Sequence, residues 1–102
     1  MKENIINVVE FVKKDTTTYT SGYDLYLEIK RNIRNSNEGQ KVTLSLSGCP
    51  VMSTSFMNGV FKSLIDNLGI DKFKEVVVFT HYKPSHIEVI QKYVTLYNQH
   101  NE

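Results

Sequence analysis

The sequence is poor in cysteine, glycine and proline, and it carries almost no net charge. Its 102 residues include one cysteine, five glycines and two prolines, and the formal net charge is +1. A single cysteine, Cys49, excludes an internal disulfide and is typical of a protein in a reducing compartment. The near-neutral charge gives no reason to expect nucleic acid or an anionic membrane as a partner.

Long apolar runs and glycine-rich loops are also missing. No stretch approaches the roughly 20 apolar residues of a spanning helix, and no leader pattern opens the chain, so we expect a cytoplasmic protein. Gly48 and Gly59 are isolated, so the phosphate-binding loop of a nucleotide site is absent. We expect no cofactor and no metal site, because no second cysteine or clustered carboxylates complete a ligand set with His81 and His86.

The residues that are present predict one folded domain over residues 1–102 in which strands and helices alternate. Hydrophobic residues make up 40% of the chain and charged residues 23%, which is enough apolar material for a packed core. Apolar, β-rich segments predict strands at residues 5–12, 42–46 and 76–79. The last of these is uninterrupted by polar residues, as is typical of a strand covered on both faces.

Helical periodicity predicts three helices, one after each strand. The first runs from Thr20 or Ser21 to about residue 35, the second begins after Ser53 and ends at Gly69, and the third begins at Pro84. The short segments between them are predicted to be a turn at residues 35–40 and a connector at residues 71–74. The predicted order is therefore β-α-β-α-β-α.

The most informative stretch is residues 42–56, VTLSLSGCPVMSTSF. Its first five residues alternate between apolar and polar, and a Gly-Cys-Pro sequence then ends the predicted strand. Ser53, Thr54 and Ser55 lie immediately before an amphipathic run. A strand, a short loop and a helix start rich in hydroxyl groups form a surface that can bind a partner, accept a phosphate or hold an anion.

This stretch resembles the central signature of STAS domains, which occur in anti-sigma factor antagonists and in sulphate-transporter tails. The matching positions are an alternating strand end, an apolar residue and a hydroxyl pair: Leu44, Leu46, Ser47, Gly48, Met52, Thr54 and Ser55. Ser45 and Ser53 stand where acidic residues are usual, and Phe56 stands where glycine is usual. The serine-rich version ending in phenylalanine is closer to a STAS-like family of unknown function.

The resemblance implies an α/β fold: a single STAS-like domain with a small, mostly parallel central sheet and about three helices packed mainly on one side. It also implies a non-enzymatic regulatory role exerted by binding a protein. The implied partner is a histidine-kinase-like ATPase or an anti-sigma factor. In the antagonist branch that ATPase phosphorylates the hydroxyl at the position of Ser55, and phosphorylation controls partner exchange.

Ser55 is therefore the predicted phosphorylation site, ahead of Thr54 and Ser53. The predicted partner-binding surface comprises the loop, the helix start and two residues further along the helix: Gly48, Cys49, Pro50, Val51, Met52, Ser53, Thr54, Ser55, Phe56, Asn58 and Lys62. Tyr23 and Leu27 lie off the buried face of the first helix and predict a further exposed patch.

Other interpretations of these residues remain open. The three hydroxyl residues also suit an ordinary helix cap, and a small adaptor or inhibitor could use the same fold without phosphorylation. Cys49 beside His81 would be the only nucleophile–base pair, but a small apolar role for Cys49 is favoured. No catalytic set is complete, so we do not expect an enzyme. The sequence indicates no oligomeric state.

Overall fold

The computed structural model describes residues 4–34 and 41–100, with the backbone alone described for residues 4, 34 and 98–100; the predicted turn at residues 35–40 lies outside these ranges. Three parallel strands form one sheet in the order β1-β2-β3: Asn4–Asn7, Val42–Ser45 and Val77–Thr80. Ile6, Leu44 and Phe79 lie side by side in register, and this row faces the hydrophobic core. The α/β class is thus confirmed.

The first predicted strand is too long. Only its start belongs to the sheet, because Asn7 caps a helical turn, α1 (Val8–Phe11), and its side-chain oxygen accepts a hydrogen bond from the Glu10 N–H at 3.1 Å. Asn7 and Glu10 have the spacing of a helix N-cap and the third helical residue. The apolar run around them masked this signal, since an N-terminal strand and a buried helical turn share the same residue types.

Helix α2 (Tyr19–Arg34) begins slightly earlier than predicted, with the Thr18 hydroxyl accepting a hydrogen bond from the Ser21 N–H at 3.3 Å. Thr18 therefore provides the cap that the sequence assigned to Thr20 or Ser21. The inner face of α2 is buried, as its helical periodicity predicts, with Leu25 and Ile29 at most 1% exposed. A surface helix with one apolar stripe covers the sheet in this way because that stripe must leave water.

Residues 54–68 form one continuous helix, α3, composed of Thr54–Met57, a π-helical turn at Asn58–Lys62, and Ser63–Leu68. Ser53 caps it and Gly69 ends it with a φ of 87°, as predicted. The predicted connector after Gly69 is wrong, because Ile70–Val76 form helix α4. Phe73 and Val76, three residues apart, bury one side of this short helix and stabilise it against the core.

In the described part of the chain, the three longest helices pack against the same face of the sheet. Sequential strand order with right-handed crossovers sends α2 and α3 to the same side, and α5 (Pro84–His100) joins them there through Ile90. Val78 on the opposite face is 36% exposed, so the prediction that the third strand is covered on both faces is wrong. In the described ranges no helix has the length and apolar character needed to cross a membrane.

Candidate functional site

The loop and the helix start of the predicted partner surface lie at the carboxyl ends of the strands. The loop of residues 46–53 leaves β2 beside the end of β3, where the Leu46 N–H donates to the Thr80 carbonyl oxygen at 2.9 Å. Residues 13–18, which follow β1 and α1, lie on its other side. In open α/β sheets the carboxyl edge is where ligands and partners usually bind, because loops from several strands converge there.

Two threonines hold the loop from the β1 side. The Thr16 hydroxyl donates to the Val51 carbonyl oxygen at 3.2 Å, and the Ser53 N–H donates to the Thr16 carbonyl oxygen at 3.0 Å. The Ser53 hydroxyl donates to the Thr17 carbonyl oxygen at 2.7 Å. Thr16 itself is 1% exposed. These bonds join residues 35 to 37 positions apart in sequence, so the loop path is fixed by tertiary contacts.

Asp15 organises residues 16–18, three consecutive threonines that we call the threonine segment. Its carboxylate accepts hydrogen bonds from the Thr17 N–H, the Thr17 and Thr18 hydroxyls, the Thr18 N–H and the Ser21 hydroxyl. The Thr17 N–H contributes most, followed by the Thr18 hydroxyl, to holding the pKa of this carboxyl well below its usual range. Asp15 thereby positions both the start of α2 and the residues that clasp the loop.

His86 holds the loop from the opposite side. The side chain is 4% exposed, and its Nδ1 accepts a hydrogen bond from the Lys83 N–H at 3.0 Å. Because Nδ1 is an acceptor, Nε2 carries the proton and donates to the Cys49 carbonyl oxygen at 2.8 Å. Sequence reasoning paired Cys49 with His81 and missed His86, since no local pattern signals a contact across 37 residues.

The Cys49 thiol has none of the features of a nucleophile. The residue is 5% exposed, and burial raises the pKa of the thiol. The histidine near it contacts the Cys49 backbone and not the sulfur. A reactive cysteine needs a lowered pKa and a base at the sulfur, so Cys49 acts here as the small apolar residue that the sequence favoured.

The start of α3 carries two exposed hydroxyl residues besides its cap, Thr54 and Ser55. The Ser53 hydroxyl oxygen accepts from the Phe56 N–H at 3.0 Å, so Ser53 is the cap and is fully committed. Thr54 and Ser55 follow it in the first turn and are exposed. First-turn N–H groups point out of the helix end and carry the positive end of its dipole. An anion attached at Ser55 would therefore lie in a favourable field.

The structure divides the predicted partner surface into exposed and buried members. Cys49, Met52 and Phe56 are at most 5% exposed and face the core, so they anchor the loop and add nothing to its surface. Gly48, Pro50, Val51, Thr54, Ser55 and Lys62 are exposed, with Val51 at 68%. The exposed members thus include an apolar side chain in the loop and, further along the chain, the two hydroxyl residues of the helix start.

Asn58 and Lys62 lie along the side of α3 that faces α5. The Tyr93 hydroxyl donates to the Asn58 side-chain oxygen, so Asn58 joins the two helices. Burial, with a smaller effect from the charge of Asp66, raises the pKa of Tyr93 to about 12. Lys62 pairs with Asp66 at 3.2 Å and its ammonium lies 5.8 Å from the ring centre of Tyr97. Lys62 is exposed, whereas Asn58 is half-buried.

The second predicted patch lies on α2. Tyr23 is 40% exposed and Leu27 is 46% exposed, in agreement with their assignment to the outer face. Tyr19 stacks on Tyr23 with a centroid distance of 6.1 Å, which extends the aromatic surface toward the start of α2. Rigid aromatic side chains contribute contact area with little loss of conformational entropy, so this strip suits an interface.

Replacing Ser53 by alanine is expected to destabilise the fold by about 1 kcal/mol, within the range of about 0.5–2 kcal/mol for lost caps. The change removes the cap of α3 and the hydrogen bond to the Thr17 carbonyl. Chemical denaturation measures the loss, with exposed Thr54→Ala as the matched control. Ser53→Thr should retain most of the stability, because threonine also caps helices and its hydroxyl can still donate to the Thr17 carbonyl. Equal stability of Ser53→Ala and Thr54→Ala would contradict this assignment.

Comparison with known families bears on the whole of this surface. A family model described as a STAS-like domain of unknown function (DUF4325) matches residues 21–86, from the first turns of α2 to the first turn of α5. The match includes the loop, the helix cap and both exposed hydroxyls. The curated proteins and the solved structures gave no significant match. Because the matched segment covers most of the chain, the chain belongs to the family of STAS-like domains of unknown function.

Proposed function

We propose that this chain is a non-enzymatic regulatory domain that binds a protein partner through the loop and the start of α3, and that phosphorylation of Ser55 switches the binding. The observation that carries this proposal is that the hydroxyls at the helix start differ in what they do. Ser53 is committed to the cap, whereas Ser55 is exposed in the first turn behind a loop that is hydrogen-bonded on both sides.

Rigidity of the loop supports a binding role. A surface that is ordered before it meets a partner loses less entropy on association. Here Thr16 and Ser53 fix one side of the loop and His86 fixes the other, while Val51 stays exposed at the tip. The aromatic strip of Tyr19 and Tyr23 adds area of a kind that is enriched in interfaces.

The chemistry at Ser55 supports a phosphate switch. In the proposed step the Ser55 oxygen attacks the γ-phosphorus of ATP bound by the partner, the bond to ADP breaks, and the hydroxyl proton leaves to a base of the partner. The product adds about −1.5 to −2 charge to a protein whose net charge is +1. That charge is stabilised by the helix dipole, so it would alter partner affinity without unfolding α3.

The absence of an acid at residue 53 is compatible with this function. In the STAS signature an aspartate stands at that position, and aspartate and serine are both strong N-caps. Ser53 caps α3 through the Phe56 N–H, as an aspartate would. A serine there also adds no negative charge two residues from a phosphate, which lowers the electrostatic cost of phosphorylation at Ser55.

The test uses the full chain, a histidine-kinase-like ATPase from the same cell and ATP. We expect a single phosphate, mapped by mass spectrometry to Ser55, lost in Ser55→Ala and retained in Thr54→Ala. Both variants change exposed side chains, so stability should stay within about 0.5 kcal/mol of the parent. Phosphate that persists in Ser55→Ala, or that is lost in Thr54→Ala, would defeat the assignment.

Binding of the same ATPase distinguishes the switch from the adaptor alternative. We expect Ser55→Asp to weaken the complex by at least about tenfold, because a negative charge is introduced into the contact, while Ser55→Ala binds normally. Calorimetric titration of the two variants gives the comparison. A complex that is unchanged by Ser55→Asp would favour a STAS-like adaptor or inhibitor that works without phosphorylation.

A further inference from the structure

An apolar cleft separates α5 from α4 and β3. Its volume is about 470 Å³, within the range of about 300–1,000 Å³ that small-molecule sites occupy. Six apolar side chains from the three elements form its walls: Phe73, Val77, Phe79, Ile87, Ile90 and Val94. None of these residues belongs to the partner surface described above, so the cleft is a separate feature of the domain.

The cleft exists because the part of α5 that faces β3 and α4 is incompletely buried. Ile87, Ile90 and Val94 recur at helical spacing on the side that faces β3, yet only Ile90 is buried, at 4% exposure. Ile87 and Val94 remain half-buried and leave apolar surface open opposite Phe79. Apolar walls without partner atoms forfeit dispersion contacts, so a hydrocarbon that entered the cleft would gain them.

The rim of the cleft has one sign of charge. Among the residues that the structure describes, Lys74 is its one charged lining residue, and Gln91 and Thr95 are the polar ones. An ammonium, an amide N–H and a hydroxyl can all donate hydrogen bonds, and the described lining includes no carboxylate that would repel an anion. The cleft therefore combines a wall suited to hydrocarbon with a rim suited to a negative group.

We propose that this cleft binds an amphiphilic carboxylate, with the hydrocarbon chain against the apolar walls and the carboxylate at Lys74. Medium-chain fatty acids are the class of ligand with this chemistry. The proposal stands on the cleft alone and does not rest on phosphorylation of Ser55 or on the proposed partner.

Titration of the full chain with decanoate, below the concentration at which it forms micelles, tests the site. We expect saturable chemical-shift changes in the methyl groups of Ile87, Ile90 and Val94 in carbon-detected or proton–carbon NMR spectra. Decanol and decylammonium have the same chain with a neutral or a positive head, and both should bind more weakly than decanoate. Decylammonium binding as tightly as decanoate, or shifts that never saturate, would overturn the proposal.

Variants locate the two halves of the ligand. Lys74→Gln should weaken decanoate binding by about threefold to fivefold and leave decanol binding unchanged, since an exposed ion pair contributes little. Lys72→Gln, on the same helix but outside the cleft lining, is the matched control. Ile87→Trp should fill the cleft and abolish saturable binding, and Val94→Trp provides a second filling variant. Wild-type affinity in both folded filling variants would place the ligand elsewhere and refute the proposal.

Discussion

Replacing Gly59 by alanine is expected to destabilise the domain by about 3 kcal/mol or more, although alanine normally stabilises a helix interior by about 1 kcal/mol relative to glycine. The sign reverses because α2 and α3 cross in contact at this residue. An added Cβ would meet the backbone of α2 directly, at the Tyr19 carbonyl oxygen and at the Tyr23 nitrogen, 2.7 Å away. Both atoms are main chain, so no rotamer change relieves the clash.

Gly22 of α2 faces Gly59 across the helix crossing and has equally little space for a side chain. A Cβ on Gly22 would collide with the Phe56 carbonyl oxygen and lie 3.2 Å from the Gly59 Cα. The two helices must therefore separate, and the start of α2 would move away from the threonine segment that holds the loop. We expect Gly22→Ala to cost about as much as Gly59→Ala, and the double variant to cost less than the sum, because one separation accommodates both methyl groups.

Thermal and chemical denaturation measure these losses, and two variants serve as controls. Asn67→Ala changes an exposed residue of the same helix and should leave stability within about 0.5 kcal/mol of the parent. Gly48 has a φ of 71°, and a Cβ added there would meet nothing within 4 Å, so Gly48→Ala should cost only the strain of about 1–2 kcal/mol of left-handed backbone. A Gly59→Ala variant more stable than Gly48→Ala would mean that the helices are not in contact there.

Sequence reasoning succeeded where the signal is local. Alternation in residues 42–46 predicted β2, the hydroxyl at Ser53 predicted a cap, and Gly69 and Pro84 marked an end and a start of helices. Each of these rests on a residue type whose backbone or hydrogen-bonding preference acts within a few positions. The family signature overlaps the same segment, so recognition and secondary structure depended on the same residues.

The failures concern features that depend on tertiary packing. The apolar run of residues 76–79 indicated a strand with two covered faces. Strand order decides coverage, and with right-handed crossovers the order β1-β2-β3 sends α2 and α3 to one side of the sheet. The π-helical turn at Asn58–Lys62 has no sequence signature and occurs beside the close contact of Gly59 with α2. Helix α4 was missed because its seven residues present only two strongly buried side chains.

The candidate site shows the same limit. Its exposed hydroxyls were predictable, because a helix start rich in serine and threonine can use only one residue as the cap. The hydrogen bonds that hold the loop, which we call the clasp, were not predictable. Thr16 and His86 contact the loop from positions 35 and 37 residues away in sequence. Burial of Met52 and Phe56 likewise depends on the path that these tertiary contacts give the loop, and the family signature alone does not predict that burial.

Replacing Phe61 by alanine is expected to cost about 3–5 kcal/mol, the range for deleting a buried aromatic ring. Phe61 is 1% exposed and lies between two further rings, with centroid distances of 6.0 Å to Phe73 and 5.9 Å to Phe79. Its edge-on contacts join α3 to α4 and β3, so the ring supports the helix whose first turn carries Ser55. Domains are stable by only about 5–15 kcal/mol, so this loss is a large fraction of the total. In a domain of this size each kcal/mol lowers the melting temperature by about 4 °C or more, so the variant should melt more than about 10 °C below the parent.

Two companion variants separate packing from loss of apolar surface. Phe61→Leu keeps most of the volume and should cost less than about half as much as Phe61→Ala. Phe11→Ala removes a ring that is 37% exposed and should cost clearly less than Phe61→Ala. A double-variant cycle with Phe79→Leu should reveal a coupling of about 0.5–1.5 kcal/mol, because the two rings interact edge to face. A Phe61→Ala loss no larger than that of Phe11→Ala would show that α3 is held to the sheet by other contacts, and the support of the Ser55 turn would then have to come from the Thr16 and His86 clasp.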